Sequence, residues 1–282
     1  MIDYHIHLEK GKYAKDWLEE FLTVGRERGI TEFCFTEHLH RFKASLPLLS
    51  RVFSHTKKNK ESEFMGEWWK KYATEDVEKY ISFIQGLKRE DYLIKLGCEI
   101  DYFEGEEEWL TKFIKDHPWD FVIGSIHWLK GWGFDHLQRP EGWIGKDVDQ
   151  VYQQYFLLLQ RMVSSNLFDI IGHLDVIKVF GFKPKNFDLH TVEEIIKIMS
   201  DKRIGTELNT AGLRKPAKEI YPSKEILQLC QKHNIFLTLG SDAHHPQEVG
   251  QDFEKALNLL REVGYSQLSV FEERRRKEIK LQ

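Results

Sequence analysis

The sequence predicts an α/β fold, a single barrel of seven strand–helix repeats with its chemistry at the C-terminal ends of the strands. Three observations predict it. Short β-branched or aromatic runs alternate with amphipathic stretches along the chain, the pattern of a parallel sheet with crossover helices. There are seven such runs, and each ends in a polar cluster. In α/β barrels the reacting groups sit at that end.

The elements follow in order. Strands are expected at 1–6, 31–36, 93–100, 120–126, 168–172, 203–209 and 235–240, where short apolar runs are bounded by turn residues. Helices are expected at about 14–28, 75–90, 105–115, 148–165, 190–201, 223–233 and 247–262. In the last, Phe253, Ala256, Leu257, Leu260 and Val263 recur at helical spacing. Two segments break the rhythm. Residues 41–74 are basic and aromatic, with Lys57-Lys58-Asn59-Lys60 and Trp68-Trp69-Lys70-Lys71-Tyr72. Residues 129–147 carry Gly131-Trp132-Gly133-Phe134 and Gly142-Trp143-Ile144-Gly145. Both follow polar clusters and are expected to overhang the active-site mouth. The mixed-charge tail Glu272–Lys280 reads as a solvated helix end.

The 282 residues fit one domain spanning 1–282, and 41% hydrophobic content with 19 Phe, 10 Tyr and 8 Trp supplies its core. A formal net charge of -4 gives no general attraction to nucleic acid or acidic membranes. No stretch is long and apolar enough to span a bilayer. The opening MIDYHIH lacks a basic region followed by an apolar one, so a cytoplasmic protein is expected. Three cysteines, Cys34, Cys98 and Cys230, lack motif spacing and read as buried thiols.

Six of the seven strand-end clusters carry histidine or carboxylate in metal-ligand spacing: Asp3-Tyr4-His5-Ile6-His7, Thr36-Glu37-His38, Gly97-Cys98-Glu99-Ile100-Asp101, Gly124-Ser125-Ile126-His127, Gly172-His173-Leu174-Asp175 and Ser241-Asp242-Ala243-His244. The seventh, Glu207-Leu208-Asn209-Thr210, has no histidine. Residues two apart on a strand share a face, so His5 with His7, and Asp242 with His244, reach into one space. Imidazole and carboxylate together suit zinc, iron or manganese. Six clusters exceed the needs of one ion, so a multinuclear centre is expected. His55, His117, His136, His190 and His233 fall in loops or on helices and are not expected to function. The facing of His40 and His245 stays open.

These clusters, with Glu207-Leu208-Asn209-Thr210-Ala211-Gly212-Leu213-Arg214, resemble the polymerase and histidinol phosphatase (PHP) superfamily of metal-dependent phosphoesterases over nearly the whole chain, and within it the histidinol-phosphate phosphatases. The resemblance implies a distorted (β/α)7 TIM-like barrel with three divalent ions. It implies a first ion held by His5, His7, Glu99 and Asp242, a second by His38 and His244, and a third by Glu99, as a bridge, with His127 and His173. Many relatives place another ligand shortly after the His-x-His. Tyr13 stands at that spacing here, and Glu9 is the better candidate for the second ion. Asp3, Glu37, Asp101 and Asp175 are expected to orient metal-bound imidazoles.

The resemblance further implies hydrolysis of L-histidinol phosphate to L-histidinol and inorganic phosphate, within histidine biosynthesis, by a hydroxide bridging the first two metals. Arg214 and Lys178 are expected on the phosphate. Asp242 is expected to take the nucleophile's proton, and His244 or Asp242 to protonate the leaving alkoxide. Glu104 and Glu106 are candidates for the substrate ammonium. The alternative is a phosphoesterase of the same superfamily acting on a nucleotide or another small phosphate ester.

Overall fold

The computed structural model describes residues 1–54, 59–88, 93–137 and 139–281; His55, Lys57 and Lys58 lie outside them. The chain runs β1 (Ile2–Ile6), α1 (Lys15–Glu27), β2 (Glu32–His38), α2 (Leu46–Ser54), α3 (Lys60–Tyr72), α4 (Val77–Lys88), β3 (Ile94–Asp101), α5 (Glu107–Asp116), β4 (Phe121–Ser125), β5 (Trp128–Leu129) and β6 (Trp132–Gly133). It continues α6 (Val148–Ser165), β7 (Ile170–Ile171), α7 (Leu189–Lys202), β8 (Gly205–Asn209), α8 (Lys224–Lys232), β9 (Leu237–Gly240), α9 (Phe253–Val263), β10 (Gln267–Glu272) and β11 (Arg275–Lys280).

Seven strands form one parallel sheet in the order β1-β2-β3-β4-β7-β8-β9. Its edges meet where Ile6 bridges Ala243: the His7 amide donates to Ala243 O at 2.8 Å, and the Ala243 amide to His5 O at 3.3 Å. The barrel is thus nearly closed. Its strands are buried along almost their whole length, as a sheet covered on both faces requires.

Helix ends follow local chemistry. Asn59 and Ser62 form a capping box at the start of α3, and Asp147 accepts the Gln150 amide at the start of α6. Gly264, at φ 101°, ends α9. That helix starts at Phe253, the first of its spaced apolar residues, and not at the expected 247, because Gly250 and Asp252 both adopt positive φ ahead of it. The 41–74 insertion contains α2 and α3, and the 129–147 insertion the small β5–β6 hairpin.

The tail corrects an expectation. Arg275–Lys280 is not a helix end but one strand of an antiparallel hairpin with β10. Glu273 and Arg274 form its two-residue turn, both at positive φ (49° and 60°), the geometry that follows strand twist. Arg274 is held there by both Asp169 oxygens and by Leu167 O. Phe271 plugs the N-terminal end of the barrel against Tyr4, Phe121 and Phe236, and its amide donates to Tyr4 Oη at 3.0 Å. The β1–β2 register shifts between Asp3 and Ile6. Along β1, Tyr4 packs against the plug while its neighbour His5 enters the polar centre above it.

Candidate metal centre

The strand ends deliver their side chains to one place. Glu99, on β3, lies at the middle. Its Oε1 is 2.9 Å from His173 Nε2 and 3.6 Å from His127 Nε2; its Oε2 is 2.7 Å from His38 Nδ1, 3.4 Å from His5 Nε2 and 3.6 Å from His7 Nε2. Asp242, in the turn after β9, has Oδ1 3.4 Å from His7 Nε2 and 3.8 Å from His5 Nε2. It sits at φ 52°, a left-handed conformation uncommon outside glycine and asparagine.

Among the described residues, four overlapping groups have ligand atoms within 4.8 Å of one another: His5–His7–Glu99, His7–His38–His244, His5–His173–Asp242 and Glu99–His127–His173. The buried His5 Nε2 and both ring nitrogens of His7 have no hydrogen-bond partner. Leaving such atoms unsatisfied costs roughly 1–3 kcal/mol each. His127 Nε2 and His173 Nε2 lie 3.2 Å apart, and His38 Nε2 and His244 Nε2 3.5 Å apart. Nitrogens this close either share one proton or hold one cation between them. The donor set therefore fits divalent transition-metal ions, zinc among them.

The electrostatics agree. Burial alone would push the Glu99 and Asp242 carboxyls up, but neighbouring imidazoles outweigh it and hold both well below the usual range. Burial, with His38 and His244 nearby, depresses His7 well below an ordinary imidazole, so it stays neutral and free to ligate. Burial likewise lowers His40 to about 4.

The supporting carboxylates differ from expectation. Asp101 meets it, with Oδ1 2.7 Å from His127 Nδ1. Asp3 instead joins strands, accepting from the Ser241 amide and hydroxyl and the Gly250 amide. Glu37 accepts from the Leu8 amide, and burial beside Glu9 raises it to about 8. Asp175 accepts from the Ser223 amide and Lys178. The orienting role beside His5 belongs to Glu207, on β8, with both oxygens 3.0 Å from His5 Nδ1. Gly240 makes room for it: a Cβ there would lie 2.4 Å from Glu207 Oε2.

Above the cluster opens a cavity of about 720 Å³. Arg214 lines it, with Nη2 donating to Ser241 O at 2.6 Å and Nη1 buried without a partner. Lys215 and Tyr221 line it too, and the buried Tyr221 hydroxyl has no partner. Glu9 is on its wall, 3.9 Å from His244 Nε2 and 4.0 Å from Arg41 Nε, but outside the four ligand groups. Tyr13 packs away against Tyr80 and Phe83.

The expectation for Lys178 is corrected. It does not line the cavity; its Nζ lies 2.9 Å from Ile220 O, 2.7 Å from Asp175 and 3.4 Å from Glu219, so all three protons have acceptors. Glu104 and Glu106 also lie off the cavity wall, paired with Arg161 and Arg51. His136, not expected to function, is on it. Met65, Trp68 and Tyr72 from the first insertion and Asp135, His136 and Leu137 from the second form part of the wall.

A seven-stranded α/β barrel with clustered imidazoles and carboxylates at its C-terminal mouth defines a metal-dependent hydrolase. Residues 3–211 match the PHP domain, and the chain belongs to that family. It is 30% identical to a probable histidinol-phosphatase of Deinococcus radiodurans over 94% of each chain. It is 26% identical to a histidinol-phosphatase of Bacillus subtilis, covering 90% of this chain and 97% of the relative. Among solved structures it superposes on the histidinol phosphate phosphatase of Lactococcus lactis, complexed with zinc, L-histidinol and phosphate, with a TM-score of 0.75 over 98% of each chain at 22% identity.

Proposed function

We propose that this protein hydrolyses L-histidinol phosphate to L-histidinol and inorganic phosphate with three divalent ions, in the cytoplasmic synthesis of histidine. The observation that carries the reading is Glu99, whose two oxygens face different imidazole groups beside a cavity holding the unpartnered Arg214 Nη1. Relatives matched over nearly their full length, named histidinol-phosphatases, support the substrate.

His5, His7, Glu99 and Asp242 are assigned to one ion, His38, His244 and Glu9 to a second, and Glu99, His127 and His173 to a third. When bound, the ions supply an acidified water and screen charge on the phosphoryl oxygens. The Arg214 guanidinium and Tyr221 hydroxyl bind the non-bridging oxygens, where charge is spread in the transition state. Asp242, held ionised by the imidazoles around it, takes the attacking water's proton. The P–O bond to the alcohol breaks, and the proton taken by Asp242 passes to the leaving oxygen by way of the adjacent His244, so both groups end as they began. The cavity volume suits a small ester.

The test is phosphate release from a panel of phosphomonoesters, with nucleotides and p-nitrophenyl phosphate beside L-histidinol phosphate. The highest kcat/KM is expected for histidinol phosphate. A higher value for a nucleotide would transfer the assignment to that substrate.

A further inference from the structure

The cavity wall is electrically divided. Lys10, Arg41, Arg214 and Lys215 all line it. Lys10 bonds to His245, Arg41 faces Glu9, and Arg214 donates to Ser241 O, so these cations border the side formed by Glu9 and the Asp242–His245 turn. Across the cluster, beside His127, the described residues of the wall include Asp135 and no lysine or arginine.

Asp135 stands apart from the other four carboxylates on the wall. Glu99 accepts from Ser125 Oγ, and Glu248 from the His244 amide. Asp242 is surrounded by imidazoles, and Glu9 faces Arg41. Asp135 alone accepts no hydrogen bond and pairs with no lysine or arginine among the described residues; its nearest charged neighbour is His127 Nε2 at 4.0 Å. The side chain is 29% exposed, so it is partly withdrawn from water. A carboxylate so placed gains by meeting a cation.

The backbone on either side of the carboxylate is anchored. The Phe134 amide donates to His127 O at 3.2 Å, and Phe134 O accepts from Trp143 Nε1 at 2.8 Å. Phe134 is buried and packs edge-on against Tyr155. On the other side of Asp135 the His136 amide donates to Gly133 O, and the His136 ring packs against Trp68. Recognition groups need such pre-positioning, because ordering them on binding costs affinity.

We infer that Asp135 reads the positive charge of the leaving group, making the enzyme selective for phosphomonoesters whose alcohol carries an ammonium or imidazolium. This rests on the phosphatase reading above and adds its specificity residue. The phosphate end of such a substrate is drawn to the Arg214 side and the cationic end to Asp135, so the divided wall also sets its direction in the cavity.

The experiment compares wild type, D135N and D135E on L-histidinol phosphate, O-phosphoethanolamine and p-nitrophenyl phosphate, with metal content measured for each. In D135N the kcat/KM for both cationic esters is expected to fall, relative to that for p-nitrophenyl phosphate, by about tenfold or more, mainly through KM. D135E is expected to recover part of the ratio, because the charge remains. Equal losses on all three esters, or loss of metal from D135N, would overturn the inference by placing Asp135 in the metal site. An unchanged ratio would overturn it as well. The substrate reading fails separately, if wild type cleaves p-nitrophenyl phosphate but not histidinol phosphate; the ratio with O-phosphoethanolamine then still tests Asp135.

Discussion

Glu207 grips His5 across the barrel, with both carboxylate oxygens 3.0 Å from His5 Nδ1. The contact fixes a proton on Nδ1 and aims Nε2 at Glu99 and Asp242, the position from which it can ligate an ion. The same carboxylate accepts the His173 amide at 2.8 Å and Asn209 Nδ2 at 2.9 Å, tying two ligand-bearing strand ends together.

Glu207→Gln keeps the shape but removes the charge that strengthens His5 as a ligand. Metal affinity is expected to fall by roughly 10- to 100-fold. Competition with a chelator, followed by elemental analysis, measures it. Wild-type retention at all chelator concentrations would show that Glu207 serves the fold alone.

Glu99 and Glu9 should differ sharply. Glu99 faces five imidazoles, whereas the ion-pair contact of Glu9 with the cluster among the described residues is to His244, at 3.9 Å. Glu99→Ala is expected to lose more than one ion per chain and orders of magnitude in kcat. Glu9→Ala is expected to lose at most the second ion, with a smaller loss of rate. Elemental analysis finding about three ions in wild type, with the opposite ranking of the variants, would invert the assignment; one ion or none in active wild type would end the three-ion reading.

The first histidines were legible because strands alternate, so His-x-His states its shared face within three residues; Asp242 and His244 instead come together through the turn after β9, with Asp242 at φ 52°. Seven repeats of strand and helix announced the barrel in the same way. What escaped lies in partners distant along the chain. Glu207 meets His5 across 202 positions, and no local pattern marks the pair. Lys178 follows a ligand cluster and looks free, yet its acceptors include Ile220 O, 42 residues on. The tail misled because β11 is mostly exposed, so its strand character shows only beside the buried Leu268, Val270 and Phe271 of β10.

That hairpin gives a prediction on stability. Arg274 holds a left-handed turn, donates to Leu167 O at 2.9 Å and lies against the half-buried Asp169. Burial pushes the Asp169 carboxyl up, and Arg274 opposes the shift. Arg274→Ala removes this compensation, and a loss of about 1.5–3 kcal/mol is expected, as for other hydrogen bonds to charged groups. Thermal unfolding should show a lower Tm with kcat/KM unchanged, since Arg274 is at the opposite end of the barrel from the metal ligands. An unaltered Tm would mean that the latch carries no stability.

Arg214 separates phosphate chemistry from hydrolysis of a neutral substrate at the same metals. Its Nη2 is spent on Ser241 O at 2.6 Å, which fixes the guanidinium plane, while the buried Nη1 has no partner. A fixed fork with an unused donor beside metal ligands suits a doubly charged oxyanion and has no use for a neutral amide. Arg214→Ala is expected to raise KM and lower kcat/KM by about 2–4 kcal/mol, the range for losing one member of a buried charged pair. Arg214→Lys should recover only part, because an ammonium that satisfies Ser241 O cannot also reproduce the geometry of Nη1. Metal content should stay at the wild-type value in both, since Arg214 is in none of the ligand groups. Wild-type kinetics on histidinol phosphate in Arg214→Ala would remove the guanidinium from the phosphate site and leave Tyr221 and the metal ions to bind it.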